Sequence, residues 1–322
     1  MPPDENPEEI PIELWYGASK QRHSKRNTQD ASVARSPIGE AGAGMKIAIQ
    51  GEPGSFSHEA AIKLVTEAVI VPFSLSAEVF AALTGGTVDA AVIPIENSLA
   101  GSVAEHFDLL LTHAVKVERE TLLRIRHNLI ANQGTSIGEI DRVFSHPVAL
   151  AQCRRFLAGH PKMEAFAFYD TAGSVKQLVE LRDRHAAAIA SEAAAHYYGA
   201  TILQANIEDN PENFTRFFLV KRSEDAVLDP LSNKMSLAFS VENRPGSLVA
   251  ALGEFSTLGT NLTKLESRPV HGKPWEYIFY VDCQIRSSEE GSRVVRALGP
   301  HCDLVKELGR YREARQEGES ES

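Results

Sequence analysis

The run Val88-Asp89-Ala90-Ala91-Val92-Ile93-Pro94-Ile95 restricts the fold of this chain more than any other segment, because it is apolar throughout apart from one acid, Asp89. A strand with one wet face alternates apolar and polar residues. An unbroken run therefore reads as a strand covered on both faces. Helices are the usual cover, and helical patterns occur near 57–65, 102–112, 147–157, 173–181 and 191–198. Further short strands are expected at 45–50, 142–144, 187–190 and 217–220. This alternation predicts an α/β architecture with mainly parallel sheets over 45–222. The charged, extended stretch 116–132 reads as a crossing between two lobes, the second spanning roughly 125–204.

After a polar linker at 223–233 the pattern changes. Strand, helix, strand, strand, helix and strand are expected at 235–241, 246–258, 261–267, 277–283, 287–298 and 303–308. That order is the ferredoxin-like βαββαβ unit, here 234–312, and a charged tail follows at 313–322. Residues 1–44, rich in proline and charge, read as a disordered leader, with the functional protein expected to begin at Met45. The leader has neither the apolar core of a secretory signal nor the acid-poor character of a transit peptide. A formal net charge of -10 argues against a nucleic-acid partner bound by phosphate neutralisation. No apolar run approaches the roughly 18 residues of a membrane span. Cys153, Cys283 and Cys302 show neither metal-ligand nor disulfide spacing, so no metal and a reducing, cytoplasmic setting are expected.

Four segments could carry chemistry. Gly51-Glu52-Pro53-Gly54-Ser55-Phe56-Ser57 joins a strand to a helix, whose exposed N–H groups could receive an anion. Equally, Ser55 or Ser57 could simply cap the helix. The spacing matches neither a dinucleotide fingerprint nor a phosphate loop, and no cofactor is expected. Glu96, Asn97 and Ser98 follow the buried strand, at the carboxyl end where α/β sheets bind ligands. Asn and Ser also favour turns, and Ser102 is placed to be an N-cap. Ser145-His146-Pro147 opens another helix, with Gln152 two turns beyond Ser145, so both could face one cleft. His146 invites a catalytic role, although a lone histidine before proline is more often structural; Cys153 suits packing. In Asn213-Phe214-Thr215-Arg216-Phe217-Phe218 a strand would place Thr215 and Phe217 on one side and Arg216 on the other. Taken alone, that Thr-Arg pair is ordinary.

Taken together and in this order, Ser57 to Ala61, Ile95-Glu96-Asn97-Ser98, Ser145-His146-Pro147 with Gln152-Cys153, and Asn213-Phe214-Thr215-Arg216-Phe217 resemble the prephenate dehydratase family. The βαββαβ unit, with Arg244-Pro245-Gly246-Ser247-Leu248 and Glu266-Ser267-Arg268-Pro269, resembles that family's ACT regulatory domain. The resemblance covers about 45–311. It implies a two-lobed catalytic region of the type 2 periplasmic-binding-protein kind with the active site in the cleft. The implied reaction converts prephenate to phenylpyruvate, water and carbon dioxide without a cofactor. Thr215 matches the family's essential threonine and is expected to donate to the leaving hydroxyl. Glu96, Asn97, Ser145 and Gln152 match catalytic positions, and a buried, protonated Glu96 could supply the proton. Ser55, Ser57, Ser98, Arg216 and Phe217 are expected at the substrate, whose two carboxylates would meet helix starts and Arg216.

In the ACT-like unit, Pro245, Gly246, Ser247, Leu248, Asn261, Glu266, Ser267, Arg268 and Pro269 are expected to bind L-phenylalanine as a feedback effector. The resemblance places that ligand between two subunits, implying a homodimer or homotetramer. Three departures stand out. Val148 replaces a frequent glutamine, Asp170-Thr171-Ala172-Gly173-Ser174 follows the usual segment loosely, and Ser247 replaces alanine. A chorismate-mutase-like bundle cannot form from 1–44, so a monofunctional enzyme is expected. Arogenate dehydratase is the alternative within the family, and a non-catalytic amino-acid sensor the alternative outside it.

Overall fold

The structure, a computed structural model, describes residues 44–270 and 275–315. Apart from Gly44, the leader lies outside the described residues, as does the tail beyond Arg315. In chain order the elements begin β1 (Lys46–Gln50), α1 (Phe56–Leu64), β2 (Val69–Phe73), α2 (Ser76–Thr84), β3 (Ala90–Asn97), β4 (Gly101–Ser102) and α3 (Ala104–Thr112). There follow β5 (Val115–Arg124), β6 (Asn128–Ala131), β7 (Arg142–Ser145), α4 (Pro147–Gln152), α5 (Arg154–Ala158), β8 (Glu164–Ala167) and α6 (Thr171–Leu181). Then come β9 (Ala186–Ala190), α7 (Glu192–Tyr198), β10 (Thr201–Gln204) and β11 (Phe214–Arg222). The last six are β12 (Lys234–Ser240), α8 (Ser247–Thr257), β13 (Leu262–Pro269), β14 (Tyr277–Gln284), α9 (Ser288–Leu298) and β15 (Leu304–Tyr311).

The chain divides into two compact units. Among the described residues, one holds 45–51, 56–125 and those from Glu212 to Arg315; the other holds 52–55 and 126–211. The second unit thus runs past the expected lobe end near 204 and also takes in the 52–55 loop.

In the larger unit one sheet runs β13-β14-β12-β15-β5-β11-β3-β1-β2, with β4 paired to β3. β1 lies parallel to β2 and β3, whereas β11 lies antiparallel to both β3 and β5. The sheet is therefore mixed, not mainly parallel as expected. The chain returns along β11 to the strand pair it left through β5, and a return of that kind is antiparallel. β11 is buried on both faces: Phe217 and Leu219 pack with Ile47, Ile49 and Ala60, while Phe218 and Val220 pack with Phe80, Ile93 and Ile95.

The C-terminal strands and helices adopt the ferredoxin-like order, with antiparallel neighbours β13-β14-β12-β15. Met235, Leu237, Phe239 and Val281 face the helices, packing on Phe255, Val294 and Leu298. The opposite face contributes Ala238, Ile278, Tyr280, Leu308 and Tyr311 to the cluster that contains Phe80, Ile93, Ile95 and Phe107. One hydrophobic core thus spans the linker boundary. At the seam β15 approaches β5 at a single registered pair, Gly309 with Val117. A Cβ at Gly309 would sit 2.1 Å from the Val117 carbonyl oxygen, so only glycine permits this approach. The linker is pinned as well, by Val227 N–H to Glu118 (3.0 Å) and by Arg312 to Asp229 (2.6 Å).

The smaller unit carries a sheet ordered β10-β6-β9-β7-β8, with β7 parallel to β8 and β9 and β6 antiparallel to β9 and β10. Every residue of β9 is buried, and its alanines let α6 pack close. Gly54, at φ 85°, is held against α7: a Cβ there would lie 2.6 Å from Ala194 Cα. The helix expected over 147–157 is two, broken at Cys153, which is fully buried.

Candidate active site

The carboxyl end of β3 and the start of β11 are adjacent in register, Asn97 opposite Thr215 and Glu96 opposite Arg216. The Asn97 carboxamide links them. Its Oδ1 accepts from the backbone N–H groups of Leu99 (3.0 Å) and Ala100 (2.8 Å), which fixes Nδ2 as the donor end. Nδ2 then donates to Thr215 Oγ1 at 2.9 Å and to Asn213 Oδ1 at 2.8 Å. Thr215 therefore receives a hydrogen bond, and its own O–H finds no acceptor among the described residues. A hydroxyl so held keeps its proton available for donation, and the residue is 8% exposed.

Ser98, although exposed, bonds into the junction. Its hydroxyl donates to the Glu212 carbonyl and accepts from Phe214 N–H, both at 2.9 Å. Its hydroxyl therefore has a structural role at this junction, beside its expected place at the substrate. Ser102 does not cap α3: the cap position is Val103, and Ser102 lies in β4 opposite Glu96. Its hydroxyl donates to Glu266.

Glu96 is more than a third exposed and forms an ion pair with Lys264 on β13, Nζ to Oε1 2.9 Å. A buried carboxyl was the condition for Glu96 to supply a proton, and the structure gives it an ammonium partner instead. Arg216 and Phe217, expected at the substrate, lie in the interior. Arg216 Nε donates to Glu120 (2.5 Å), Nη1 to Asp282 and Nη2 to the Tyr311 hydroxyl (2.9 Å). Phe217 is 1% exposed. All three guanidinium nitrogens are engaged in the interior, and the residue is 8% exposed.

In the smaller unit Ser145 is fully buried, and its hydroxyl donates to the Ile189 carbonyl at 2.5 Å, stitching β7 to β9. Gln152 does not join it. The Gln152 Oε1 lies 2.9 Å from His127 Nε2, so the imidazole donates there. Burial lowers the His127 pKa, although the bond to Gln152 opposes the shift. His146 serves as the cap of α4, its Nδ1 accepting from Val148 N–H at 3.3 Å. Burial pushes the Cys153 thiol far up, consistent with packing and not with nucleophilic chemistry. Ser55 in this unit and Ser57 on α1 are both buried.

Sequence reading missed two features here. Glu52 accepts from Tyr169 (3.2 Å) and Lys176 (2.8 Å), tying the 52–55 loop to α6. Beside it Asp170 caps α6 by accepting from Gly173 N–H at 2.7 Å. Burial raises its carboxyl to about 6, with the Gly173 N–H opposing. Asp170 had been singled out only as a departure from a motif; its cap position, three residues before Gly173, was the available signal.

Among the expected effector residues, Glu266 and Arg268 turn toward the α/β part, Glu266 to Ser102 and Lys264, Arg268 to Asp108 at 3.0 Å. Ser267 and Pro269, on the alternate face of β13, are exposed, as are Pro245 and Gly246. Ser247 and Leu248 are half-buried, the Ser247 hydroxyl accepting from Arg244, and Asn261 donates to Gln284 at 3.0 Å. No cluster of His, Cys, Asp and Glu able to hold a metal occurs among the described residues. No helix among them is long and apolar enough to cross a membrane.

The chain is similar to known proteins over most of its length. Arogenate dehydratase/prephenate dehydratase 2, chloroplastic, of Arabidopsis thaliana is 38% identical over 283 residues, covering 84% of this chain and 73% of the relative. A solved structure of prephenate dehydratase in complex with L-Phe, from Arthrobacter aurescens, superposes with a TM-score of 0.76 at 28% identity, over 83% of this chain and 90% of that one. A structure titled as GqqA, a novel type of quorum quenching acylase, also gives 0.76 at 32% identity, over 83% and 97%. Residues 47–225, which include the whole Asn97–Thr215 junction, match the family described as prephenate dehydratase, and the chain belongs to that family of lyases.

Proposed function

We propose that the protein dehydrates and decarboxylates prephenate to phenylpyruvate. The observation that carries this reading is the Thr215 hydroxyl, held by Asn97 Nδ2 at 2.9 Å with its proton uncommitted. In the reaction the ring carboxylate leaves as carbon dioxide, and the electron pair of its bond enters the ring as the carbon–oxygen bond breaks. The departing hydroxide takes up one proton and leaves as water. Aromatisation drives the step, but hydroxide is a poor leaving group, and charge grows on its oxygen only as the bond breaks. A donor fixed at that oxygen therefore stabilises the transition state more than the ground state. Thr215 supplies the donor; Asn97 fixes its orientation and prevents the hydroxyl from turning inward. An alcohol is a feeble general acid, so Thr215 stabilises charge and the proton arrives from elsewhere.

L-Phenylalanine is the effector we assign to the C-terminal unit, which we take to be an ACT domain joining subunits. The βαββαβ order supports this, and a similar prephenate dehydratase was solved with L-Phe. Arogenate is the second candidate substrate, favoured by the name of the Arabidopsis relative. Acyl transfer would need an accessible nucleophile beside a base, whereas the hydrogen-bonded pair Ser76 and His106 is buried, at 1% and 0% exposed. The test is product formation from prephenate, followed as phenylpyruvate, with arogenate in parallel and Thr215→Ala as control. Turnover of prephenate lost in the variant supports the reading. Turnover of arogenate alone transfers the substrate, and silence with both removes the dehydratase.

A further inference from the structure

β13 alternates strictly: Thr263, Leu265, Ser267 and Pro269 are exposed, whereas Lys264, Glu266 and Arg268 are half-buried on the other face. All three charged residues of that face reach the α/β part of the same unit. Lys264 is the most enclosed, its side chain 11% exposed. Its Nζ lies 2.9 Å from Glu96 Oε1, 2.9 Å from Ser102 Oγ and 3.2 Å from Glu266 Oε2, above the Phe107 ring at 5.4 Å. Glu96 and Ser102 are themselves opposite one another in the β3–β4 pair. One ammonium thus closes the hairpin that ends in Asn97, the residue that holds Thr215.

We infer that Lys264 is a positioning residue for the dehydration, a cation from the C-terminal unit that sets the Glu96 carboxylate and the hairpin carrying Asn97. The inference rests on the dehydratase reading above. Without Lys264 the carboxylate loses its ammonium partner, and the hairpin loses its ion pair to β13 while the Ser102–Glu266 hydrogen bond remains. A misplacement of the order of 1 Å at a reacting group costs about 100-fold in rate. The cost falls on the chemical step, because Lys264 is itself enclosed and its partner Glu96 immediately precedes Asn97, the residue that holds Thr215.

The experiment compares kcat and KM for phenylpyruvate formation in the full chain and in Lys264→Met, Lys264→Arg and Asp108→Asn, with Tm recorded for each. Lys264→Met is expected to lower kcat about 10- to 100-fold with KM little changed. Lys264→Arg, which keeps the charge, should recover most of that loss. Asp108→Asn removes the Arg268 contact on the same strand face without touching Glu96, and should leave kcat near that of the parent. Should Lys264→Met lose its fold, Lys264→Gln takes its place in the series. The inference is overturned by a Lys264→Met kcat equal to the parent's, by a Lys264→Arg as slow as Lys264→Met, or by an Asp108→Asn equally slow. Absence of turnover in the parent would instead overturn the dehydratase reading on which the inference rests.

Discussion

Replacing Arg216 by methionine separates two accounts of the Thr-Arg-Phe motif. If Arg216 receives a substrate carboxylate, the loss appears in KM. If it holds two parts of the large sheet together, the loss appears in stability. Arg216→Met fills much of the same volume, so a cavity contributes little and the charge dominates. The carboxylates left behind are deeply enclosed, Glu120 at 1% and Asp282 at 4% side-chain exposure. Removing one partner of a buried ion pair typically costs about 3–5 kcal/mol. Two features place this site at the lower end. Glu120 keeps Lys234 at 3.2 Å and Ala314 N–H at 2.8 Å, and Asp282 keeps the Ser236 hydroxyl. A loss of about 3 kcal/mol corresponds to a Tm lower by roughly 6–12 °C for a unit of this size. Thermal and urea unfolding followed by circular dichroism would measure it. The double variant Arg216→Met/Asp282→Asn should recover about 1–2 kcal/mol, because the amide no longer leaves a buried charge uncompensated. A loss below about 1 kcal/mol, or a raised KM at unchanged Tm, would refute this account of Arg216.

Thr215→Ala should lower kcat about 100- to 1,000-fold while Thr215→Ser stays within about tenfold; equal, high rates in both would remove the hydroxyl from the mechanism. Ser145→Ala should cost about 1 kcal/mol of stability and leave kcat in place, since the hydroxyl serves the Ile189 carbonyl; a slow variant with an unchanged Tm would return Ser145 to the chemistry. Gly309→Ala should destabilise by about 1–3 kcal/mol in urea unfolding, because its Cβ would meet the Val117 carbonyl oxygen 2.1 Å away. Burial lowers the pKa of both His106 and His127 from 6.5, so the unfolded chain takes up protons first as pH falls. Their contribution is complete above pH 6.5 and declines below it, by up to about 1.4 kcal/mol per pH unit for each. Unfolding at pH 7.5 and 5.5 checks this, and His127→Gln should flatten the slope.

What could be read from the sequence was what depends on near neighbours. The apolar run at 88–95 became β3 (Ala90–Asn97), and the six-element order after the linker is the observed one, with ends shifted by a few residues. Local periodicity was enough for these. β2 (Val69–Phe73) carries a proline and lies at the sheet edge, so its pattern is weak, and α2 was not foreseen either. The parallel expectation failed for β5 and β11 because strand direction depends on where the chain returns, which no local pattern records. Asn97 and Thr215 were named through resemblance, but the bond that joins them spans 118 positions, and it is the Leu99 and Ala100 N–H groups that fix which end of the carboxamide donates.

The same limit explains why Arg216 and Lys264 were misjudged or overlooked. Both are single charges on strands, where a solvated side chain is the ordinary expectation. Their partners, Asp282 for Arg216 and Glu96 for Lys264, come from the opposite side of the linker. The linker at 223–233 does mark a change of pattern, yet Tyr280, Leu308 and Tyr311 share a core with Ile93, Ile95 and Phe107. A boundary in periodicity is therefore not a boundary in packing here. Ion pairs and one core cross it, and two of those pairs, Arg216–Asp282 and Lys264–Glu96, use residues adjacent to Thr215 and Asn97 in β11 and β3. A displacement of β13 cannot leave Lys264 in place, since its ammonium is carried by that strand. On the proposal above, the route from the C-terminal unit to the Thr215 junction runs from Lys264 to Glu96 and through the backbone to Asn97.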